Sequence, residues 1–215
     1  MTLEADTAAY YAERAPEFER VYEKPERQGQ LCELKEIVRT TLAGRRVLEP
    51  ACGTGWWTAV AAETAGHITG FDLNESVLAR ARAKHLDPRR VKFLTGDAYH
   101  PPRGAGRFDA ALVAFWWSHI PRRRVAEFLQ RLHAALEPGA VVLCMDNTFV
   151  AGDSTPVTRT DAEGNTFQSR RLESGQVFEV LKNYPTEDEL RAAIAPFAAC
   201  AEVNWLRHYW TMTSC

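Results

Sequence analysis

The sequence predicts an α/β fold in which helices flank a doubly wound, mostly parallel sheet, and three observations lead to this class. Short apolar runs alternate with amphipathic helical patterns, as in strand–helix–strand units. A glycine turn follows the first run, and an acidic residue lies at or just after the end of each of the first three runs. The 215 residues are 46% apolar, which suffices for one large domain with a buried core.

The first predicted strand runs into a glycine turn within Val47–Thr58, which reads VLEPACGTGWWT. Gly53 and Gly55 permit positive φ angles and close approaches that a Cβ would block. A helix that starts near Trp56 points its free N–H groups toward this turn. The segment therefore predicts a binding site for a polar, nucleotide-like ligand.

Two residues of this segment argue against a dinucleotide. The fingerprint G-x-G-x-x-G requires a third glycine inside the helix, and Thr58 occupies that position. Glu49 ends the strand, where its carboxylate repels a diphosphate and attracts an ammonium or sulfonium group. The segment therefore favours a cationic cofactor.

The residues from Glu49 to Gly55 resemble the glycine loop of the class I S-adenosylmethionine-dependent methyltransferases, which reads acid-x-G-x-G-x-G. Ala51 stands at the first glycine of that pattern, and the resemblance covers about residues 45–146. It implies a Rossmann-like, seven-stranded, mostly parallel sheet with an antiparallel C-terminal strand. It also implies S-adenosyl-L-methionine as cofactor, S-adenosyl-L-homocysteine as product, and methyl transfer to a small-molecule acceptor by in-line displacement at the sulfonium methyl.

The second predicted strand, His67–Phe71, is followed by Asp72. This acid lies about 20 residues past the glycines, where a ribose-binding acid is expected. Asn74 is a predicted N-cap for a helix that extends to about His85. Strand, acid and helix thus repeat as in a doubly wound sheet.

The third predicted strand, Val91–Thr95, is followed by Asp97, and the family commonly uses an acid at this place to accept from the adenine amino group. A lone aspartate after a strand is more often a turn former. The resemblance further implies cofactor contacts from residues beside these acids and in the neighbouring loops, namely Tyr11, Ala51, Trp57, Leu73, Ala98 and Phe115.

The fourth predicted strand, Phe108–Ala114, opens onto a loop that is expected to form the floor of the reaction site. In that loop His119 titrates near neutrality and is the candidate general base for an acceptor that must lose a proton. A hydrogen bond to the backbone is its alternative role. The candidate substrate contacts are Trp116, Trp117, His119 and, after a fifth strand at Ala140–Met145, Asn147.

The sequence predicts one domain with four parts. Turn signals divide the segment after the fifth strand into antiparallel hairpins, which we interpret as a substrate-side insertion. Thr186 and Glu189 form a predicted capping box at the start of the last helix. The parts are an N-terminal helical cap that contains Tyr11 (1–42), the cofactor-binding core (45–146), the insertion (147–182), and a C-terminal helix with two strands (186–215).

Composition indicates what the chain does not bind. The net charge is −2 and the basic pairs are scattered, so nucleic acid is not an expected partner. The five cysteines form no C-x-x-C pair, and no signal peptide or membrane span is recognised, so we expect a cytoplasmic protein with reduced thiols and no membrane association. The histidines lack metal-ligand spacing, so no metal is expected, and the protein is expected to be a monomer or a homodimer.

Two other functions stay open at this stage. A NAD-type Rossmann oxidoreductase also uses an acid after the second strand, although the missing third glycine argues against it. A cofactor-binding module without catalysis has the same fold. The sequence does not distinguish oxygen, nitrogen, sulfur or carbon as the methyl-accepting atom.

Overall fold

The structure, a computed structural model, describes residues 3–102 and 108–215. The helices within these ranges are α1 (Leu3–Arg14), α2 (Gln28–Thr41), α3 (Trp56–Ala61), α4 (Glu75–Arg82), α5 (Val125–Ala134) and α6 (Glu187–Ile194). The strands are β1 (Arg46–Pro50), β2 (His67–Asp72), β3 (Val91–Thr95), β4 (Phe108–Ala114), β5 (Leu136–Asn147), β6 (Arg159–Thr160), β7 (Thr166–Arg171), β8 (Val177–Leu181), β9 (Ala201–Trp205) and β10 (Tyr209–Ser214). Short 3₁₀ turns lie at Phe18–Tyr22, Pro25–Arg27, Trp117–His119 and Arg122–Arg124.

Seven strands form one sheet in the order β3-β2-β1-β4-β5-β10-β9. Strands β1 to β5 pair in parallel, whereas β10 pairs antiparallel with both β5 and β9. A separate antiparallel sheet has the order β6-β7-β8. The predicted fold class is therefore confirmed, with the hairpin insertion as the second sheet.

The central strand β4 shows why this sheet is buried on both faces. Ala110 and Leu112 belong to the core on one face, and Ala111 and Val113 belong to the core on the other. Alternate side chains of a strand point to opposite faces, so a strand that is apolar throughout requires a covering layer on each side. The helices supply these two layers.

Helix α2 lies within the predicted N-terminal helical cap (1–42) and packs Leu31, Leu34 and Val38 into the core on one face of the sheet. These positions recur at helical spacing and make α2 a regular layer of the fold. Helix α4 ends at Arg82 rather than near His85, because His85 takes a positive φ of 51° that no α-helix continues through.

Helix α1 leaves the sheet and packs against the small antiparallel sheet. Tyr10, Leu172 and Val180 form a separate buried cluster, and the ring of Tyr10 meets Phe178 edge-on with centroids 5.6 Å apart. Helix α1 and strands β6 to β8 thus form one unit, which we call the roof. The roof covers the edge of the large sheet where β1, β4 and β5 end.

The C-terminal segment confirms one prediction and corrects another. Thr186 and Glu189 form the capping box at the start of α6, and the two predicted strands are β9 and β10. The expectation of reduced thiols is wrong for Cys200 and Cys215, which form a disulfide with Cα atoms 5.7 Å apart. The β9–β10 hairpin brings them together because each lies just outside its paired ends. No helix among the described residues is long and apolar enough to span a bilayer.

Candidate active site

One cavity of about 710 Å³ lies between the carboxyl ends of the parallel strands and the roof. Its volume is in the range of small-molecule sites, and its position is where open α/β sheets bind ligands. We call the lining residues numbered 49–57, 72–77 and 97–99 the glycine-loop wall. We call the lining residues of α1, of the turn at 116–119 and of the segment 147–184 the insertion wall.

The glycine loop adopts the left-handed conformations that its sequence predicts. Gly53 and Gly55 have φ angles of 56° and 71°, and Ala51 takes 51° at the position where the family pattern has glycine. Alanine therefore adopts the required conformation at this turn despite its Cβ. Gly55 differs from the prediction because it does not line the cavity, since it faces helix α4. Its role is to let the loop pack against α4.

Replacing Gly55 by alanine is expected to lower the free energy of unfolding more than a positive φ alone would. A Cβ there lies 2.9 Å from Ala81 Cβ and 3.1 Å from Phe93 Cζ. The left-handed strain costs about 1 kcal/mol, and the overpacking adds about 1–3 kcal/mol. Urea denaturation measures the loss. Gly139→Ala is the matched control, because Gly139 has a φ of 76° with open space around its Cβ position. Equal losses in both variants would contradict the packing role.

Asp72 joins the glycine loop to the start of helix α4. Its Oδ2 accepts a hydrogen bond from the N–H of Gly53 at 3.0 Å, and its Oδ1 accepts one from the N–H of Asn74 at 2.9 Å. Burial raises the pKa of Asp72 above its ordinary value, and the backbone N–H bonds oppose that shift. The carboxylate lines the cavity with lone pairs left to accept further hydrogen bonds. The neighbouring Leu73 is exposed at the rim.

Glu49 is buried at the end of β1 and lines the same wall. Its Oε2 accepts a hydrogen bond of 2.6 Å from the Thr58 hydroxyl. Burial raises the pKa of Glu49 to about 8, although the Thr58 hydrogen bond lowers it. The side chain is therefore mostly protonated at neutral pH in the ligand-free protein. The sequence predicts Glu49 as a charged carboxylate. In this buried position Glu49 is charged at neutral pH only when a cation is bound beside it.

Asp97 forms a turn, the role that the sequence predicts as the alternative to a contact with adenine. Its Oδ1 accepts the N–H of Tyr99 at 2.9 Å, and its Oδ2 lies 3.0 Å from Nδ1 of His100. Asp97 and the buried Ala98 nevertheless line the glycine-loop wall. The geometry thus combines a turn-forming role with access to the cavity.

Aromatic rings close the cavity beside the glycine loop. Trp57 stacks on Phe115 with centroids 5.7 Å apart, and its Nε1 donates a hydrogen bond of 3.1 Å to the Tyr22 hydroxyl. Phe115 has a φ of 58°, which is uncommon for an aromatic residue, and residues in such strained conformations cluster at functional sites. Trp57 and Phe115 both line the cavity.

The two tryptophans of the loop after β4 have different environments. Trp116 lines the cavity, as predicted for a substrate contact. Trp117 does not line it, because Trp117 is buried in the core and meets Trp210 edge-on at 6.0 Å. The prediction of a substrate contact for Trp117 is therefore corrected: the 3₁₀ turn at Trp117–His119 directs this ring into the core.

His119 and Tyr11 form a hydrogen-bonded pair between the floor and the roof. The Nδ1 atom of His119 lies 2.6 Å from the Leu181 carbonyl oxygen, so Nδ1 carries the proton and donates it. Nε2 then accepts the hydrogen bond of 2.7 Å from the Tyr11 hydroxyl. Burial and, to a smaller extent, the charge of Lys182 lower the pKa of His119 well below its ordinary value. The imidazole is neutral with both nitrogens engaged, which is a poor arrangement for a general base.

A buried ion pair that sequence reasoning missed lies beneath the insertion wall. Lys182 Nζ donates to Asp146 Oδ1 at 2.9 Å, to Ser118 Oγ at 2.6 Å and to Asn147 Oδ1 at 3.0 Å. Burial lowers the pKa of Lys182. Burial also acts to raise the pKa of Asp146, but the charge of Lys182 and the hydrogen bonds from Lys182 and from the N–H of Ser118 together hold this pKa below its ordinary value. A lysine directly after the apolar strand β8 is the sequence signal for this pair.

Comparisons with known proteins match this chain to methyltransferases. A family model described as a methyltransferase domain matches residues 47–139. Demethylmenaquinone methyltransferase of Staphylococcus aureus (strain MRSA252) is 32% identical over 108 residues, which are 49% of this chain and 44% of that protein. The chain therefore spans less than half the length of the curated relatives that it matches.

Two solved structures resemble nearly the whole chain. The structure of a DhpI–SAH complex has a TM-score of 0.80 and 26% identity, and it covers 99% of this chain and 96% of that one. The structure of a DhpI–SAM–HEP complex has a TM-score of 0.80 and 25% identity over 99% and 97% of the two chains. The strand order, the glycine loop with its acids and these matches agree. The chain thus resembles the class I S-adenosylmethionine-dependent methyltransferases in its methyltransferase-domain match, its glycine loop and its fold.

Proposed function

We propose that this protein transfers the methyl group of S-adenosylmethionine to a small-molecule acceptor. The observation that carries the proposal is a single cavity with two chemically different walls. The glycine-loop wall holds Glu49, Asp72 and Asp97, and the insertion wall opposite holds cationic, hydroxyl and aromatic side chains. A cofactor and a second molecule can thus lie side by side in one cavity, which methyl transfer requires.

The described residues of the glycine-loop wall fit S-adenosylmethionine. Three carboxyl groups line this wall, and no lysine or arginine numbered between 49 and 99 does, so the wall suits a cation and lacks partners for a diphosphate. Asp72 has the position of a ribose acceptor, Asp97 that of an adenine partner, and Glu49 that of a partner for a positive group. We assign contacts around them to Ala51, Gly53, Trp57, Leu73, Ala98 and Phe115.

The chain's own contribution to the reaction is to orient the acceptor and exclude water. When bound, the cofactor supplies an electrophilic methyl group on sulfur. The roof and the aromatic rings enclose the space where an acceptor lies, and Trp116 and Asn147 form part of its boundary. The protein does not need to form a covalent bond with either molecule. Positioning of the acceptor against the methyl group therefore accounts for most of the expected rate acceleration.

We propose that His119 positions Tyr11 rather than acting as the general base. The Nε2 atom of its neutral ring accepts a hydrogen bond from the Tyr11 hydroxyl and thereby fixes the phenol oxygen beside the cavity. Tyr11 is then the side chain that contacts the acceptor or the cofactor. The finding that both nitrogens are engaged supports this assignment.

Calorimetric titration with S-adenosylmethionine and with NAD tests the proposal against an oxidoreductase. We expect binding of S-adenosylmethionine and S-adenosylhomocysteine and none of NAD, because the glycine-loop wall has three carboxyl groups and no lysine or arginine to pair with a diphosphate. NAD binding without S-adenosylmethionine binding would refute the proposal. A screen for transfer of a labelled methyl group then separates an enzyme from a binding module, since tight cofactor binding without any transfer supports the module.

We extend the proposal to partners and location. Net charge of −2 and the scattered basic residues favour a small molecule over nucleic acid as substrate. We propose a monomer or homodimer that works in the cytoplasm. A cytoplasmic location predicts that the thiols of Cys200 and Cys215, which form a disulfide in the structure, are reduced in cell extracts; a disulfide in freshly prepared extracts would contradict this location.

Cofactor binding is expected to release a proton from Glu49 near neutral pH. Because burial raises its pKa to about 8 in the free protein, a cation bound nearby favours ionisation and affinity rises as pH increases toward 8. The slope approaches about tenfold per pH unit at most. Calorimetry at pH 7 in two buffers of different ionisation enthalpy measures the released proton. Glu49→Gln should abolish both the release and the slope, and a wild-type protein without proton release would contradict the assignment.

The same raised pKa affects stability in the opposite direction. In the ligand-free protein, neutral Glu49 contributes to the free energy of unfolding below its ordinary pKa of 4.5. That contribution is lost as pH rises from 4.5 through about 8, because the unfolded chain ionises freely and the buried side chain does not. Bound cofactor should reverse this loss.

A further inference from the structure

The insertion wall carries positive charge that the protein itself does not neutralise. Arg14, Arg170 and Arg171 line this wall together with Lys182. Lys182 is paired with Asp146, as described above. Among the residues that the structure describes, no carboxylate lies within 4 Å of the guanidinium of Arg14 or Arg170.

The carboxylates that line the cavity do not pair with Arg14 or Arg170, because they lie on the opposite wall or already have other partners. Glu49, Asp72 and Asp97 lie on the glycine-loop wall. Asp153, on the insertion side, is held by Arg27 at 3.2 Å and by His208. None of them compensates Arg14 or Arg170, so these two charges face the cavity.

A neutral partner holds the guanidinium of Arg170 in place. Its Nε and Nη2 donate to the amide oxygen of Gln168 at 3.2 and 2.7 Å. Gln168 is only 1% exposed, and its Nε2 donates to the Thr155 carbonyl at 2.6 Å and to the Tyr184 hydroxyl at 2.8 Å. These bonds fix the amide so that its oxygen faces Arg170. The arrangement orients the arginine and leaves its full charge available.

Arg14 extends from helix α1 to the ring that Arg170 also contacts. Its guanidinium carbon lies 5.5 Å from the centroid of the Tyr10 ring, and that of Arg170 lies 5.7 Å from the same centroid. Both cations line one cavity, so an anion bound there is attracted by both charges. Arginine is the side chain best suited to bind planar or tetrahedral oxyanions through two parallel hydrogen bonds.

We propose that the acceptor of this methyltransferase carries an oxyanion, a carboxylate or a phospho group, which Arg170 and Arg14 bind on the insertion wall. This inference rests on the proposed function and specifies its substrate class. Gln168 acts as a positioning residue for Arg170. A negatively charged acceptor is also attracted across the cavity by the cationic cofactor on the opposite wall.

Calorimetric titration of the protein loaded with S-adenosylhomocysteine tests the proposal with three probes: benzoate, phenylphosphonate and the uncharged benzamide. We expect an anion to bind at least tenfold more tightly than benzamide, and the stronger of the two anions identifies the type of oxyanion. Arg170→Met should weaken that binding about 10- to 100-fold, the loss expected for hydrogen bonds to a charged group. Gln168→Leu should weaken it less.

Controls separate this proposal from the proposed function and from misfolding. Arg159→Met is the matched control, because Arg159 pairs with Glu179 on the exposed side of the small sheet. Both arginine variants should keep wild-type affinity for S-adenosylhomocysteine, whereas failure of the wild type to bind it would refute the proposed function instead. Equal binding of benzamide, unchanged anion affinity in Arg170→Met, or no anion binding in the millimolar range would each overturn the oxyanion site.

Discussion

Asp72→Asn is expected to weaken S-adenosylmethionine binding by about 100-fold. The carboxylate accepts N–H bonds from Gly53 and Asn74, and an amide nitrogen in place of one oxygen would face an N–H group as a second donor. One charge-assisted acceptor is lost and one backbone donor is left without its partner, at a cost of about 1.5–3 kcal/mol for such a bond. The loop and the cofactor site therefore weaken together. Isothermal titration with S-adenosylmethionine measures the affinity.

Asp87→Asn is the control for charge removal, because Asp87 pairs with Arg89 and does not line the cavity. We expect unchanged affinity in this variant. Wild-type affinity in Asp72→Asn would exclude Asp72 from the cofactor site, and the urea midpoint of the same variant shows how much of any loss comes from the loop.

Lys182→Met is expected to lower the free energy of unfolding by about 3–5 kcal/mol, the usual consequence of leaving a buried charge unpaired. The substitution removes three hydrogen bonds and leaves Asp146 buried without its counter-ion. Asp146 keeps the N–H bonds of Ser118 at 2.9 Å and Asn147 at 2.7 Å, which offset part of the cost. Urea denaturation followed by circular dichroism measures the change.

The double variant Lys182→Met/Asp146→Asn distinguishes a broken charge pair from lost packing. It should recover a large part of the stability, because neither side chain then carries an unpaired charge. Arg39→Met removes one partner of the exposed Arg39–Glu63 pair and should change the stability far less. A double variant as unstable as Lys182→Met alone would show that packing, and not charge, dominates.

Local signals made the sheet predictable. Each of the strands β1 to β3 is a largely apolar run that ends at or beside an acid, so its position follows from a few neighbouring residues. The capping box at Thr186 is equally local. The conformation of the glycine loop could be predicted because positions with a positive φ angle favour glycine. Ala51 also has a positive φ angle, so this preference is not absolute.

Features that depend on distant contacts could not be predicted. The pKa of His119 depends on burial beneath Tyr11 and on Lys182, which lie 108 residues before and 63 residues after it, and no local pattern encodes that environment. Trp116 and Trp117 are adjacent and chemically identical, so only the 3₁₀ turn decides which ring faces the cavity. The Cys200–Cys215 bridge follows from the hairpin register, which the sequence leaves undetermined.

The hydrogen bond from Tyr11 to His119 joins the roof to the floor of the cavity. His119 is buried, and its other ring nitrogen is already bonded to the Leu181 carbonyl oxygen. Loss of the Tyr11 hydroxyl would leave Nε2 as a buried acceptor without its partner, so the position of helix α1 and the hydrogen bonding of this ring depend on each other.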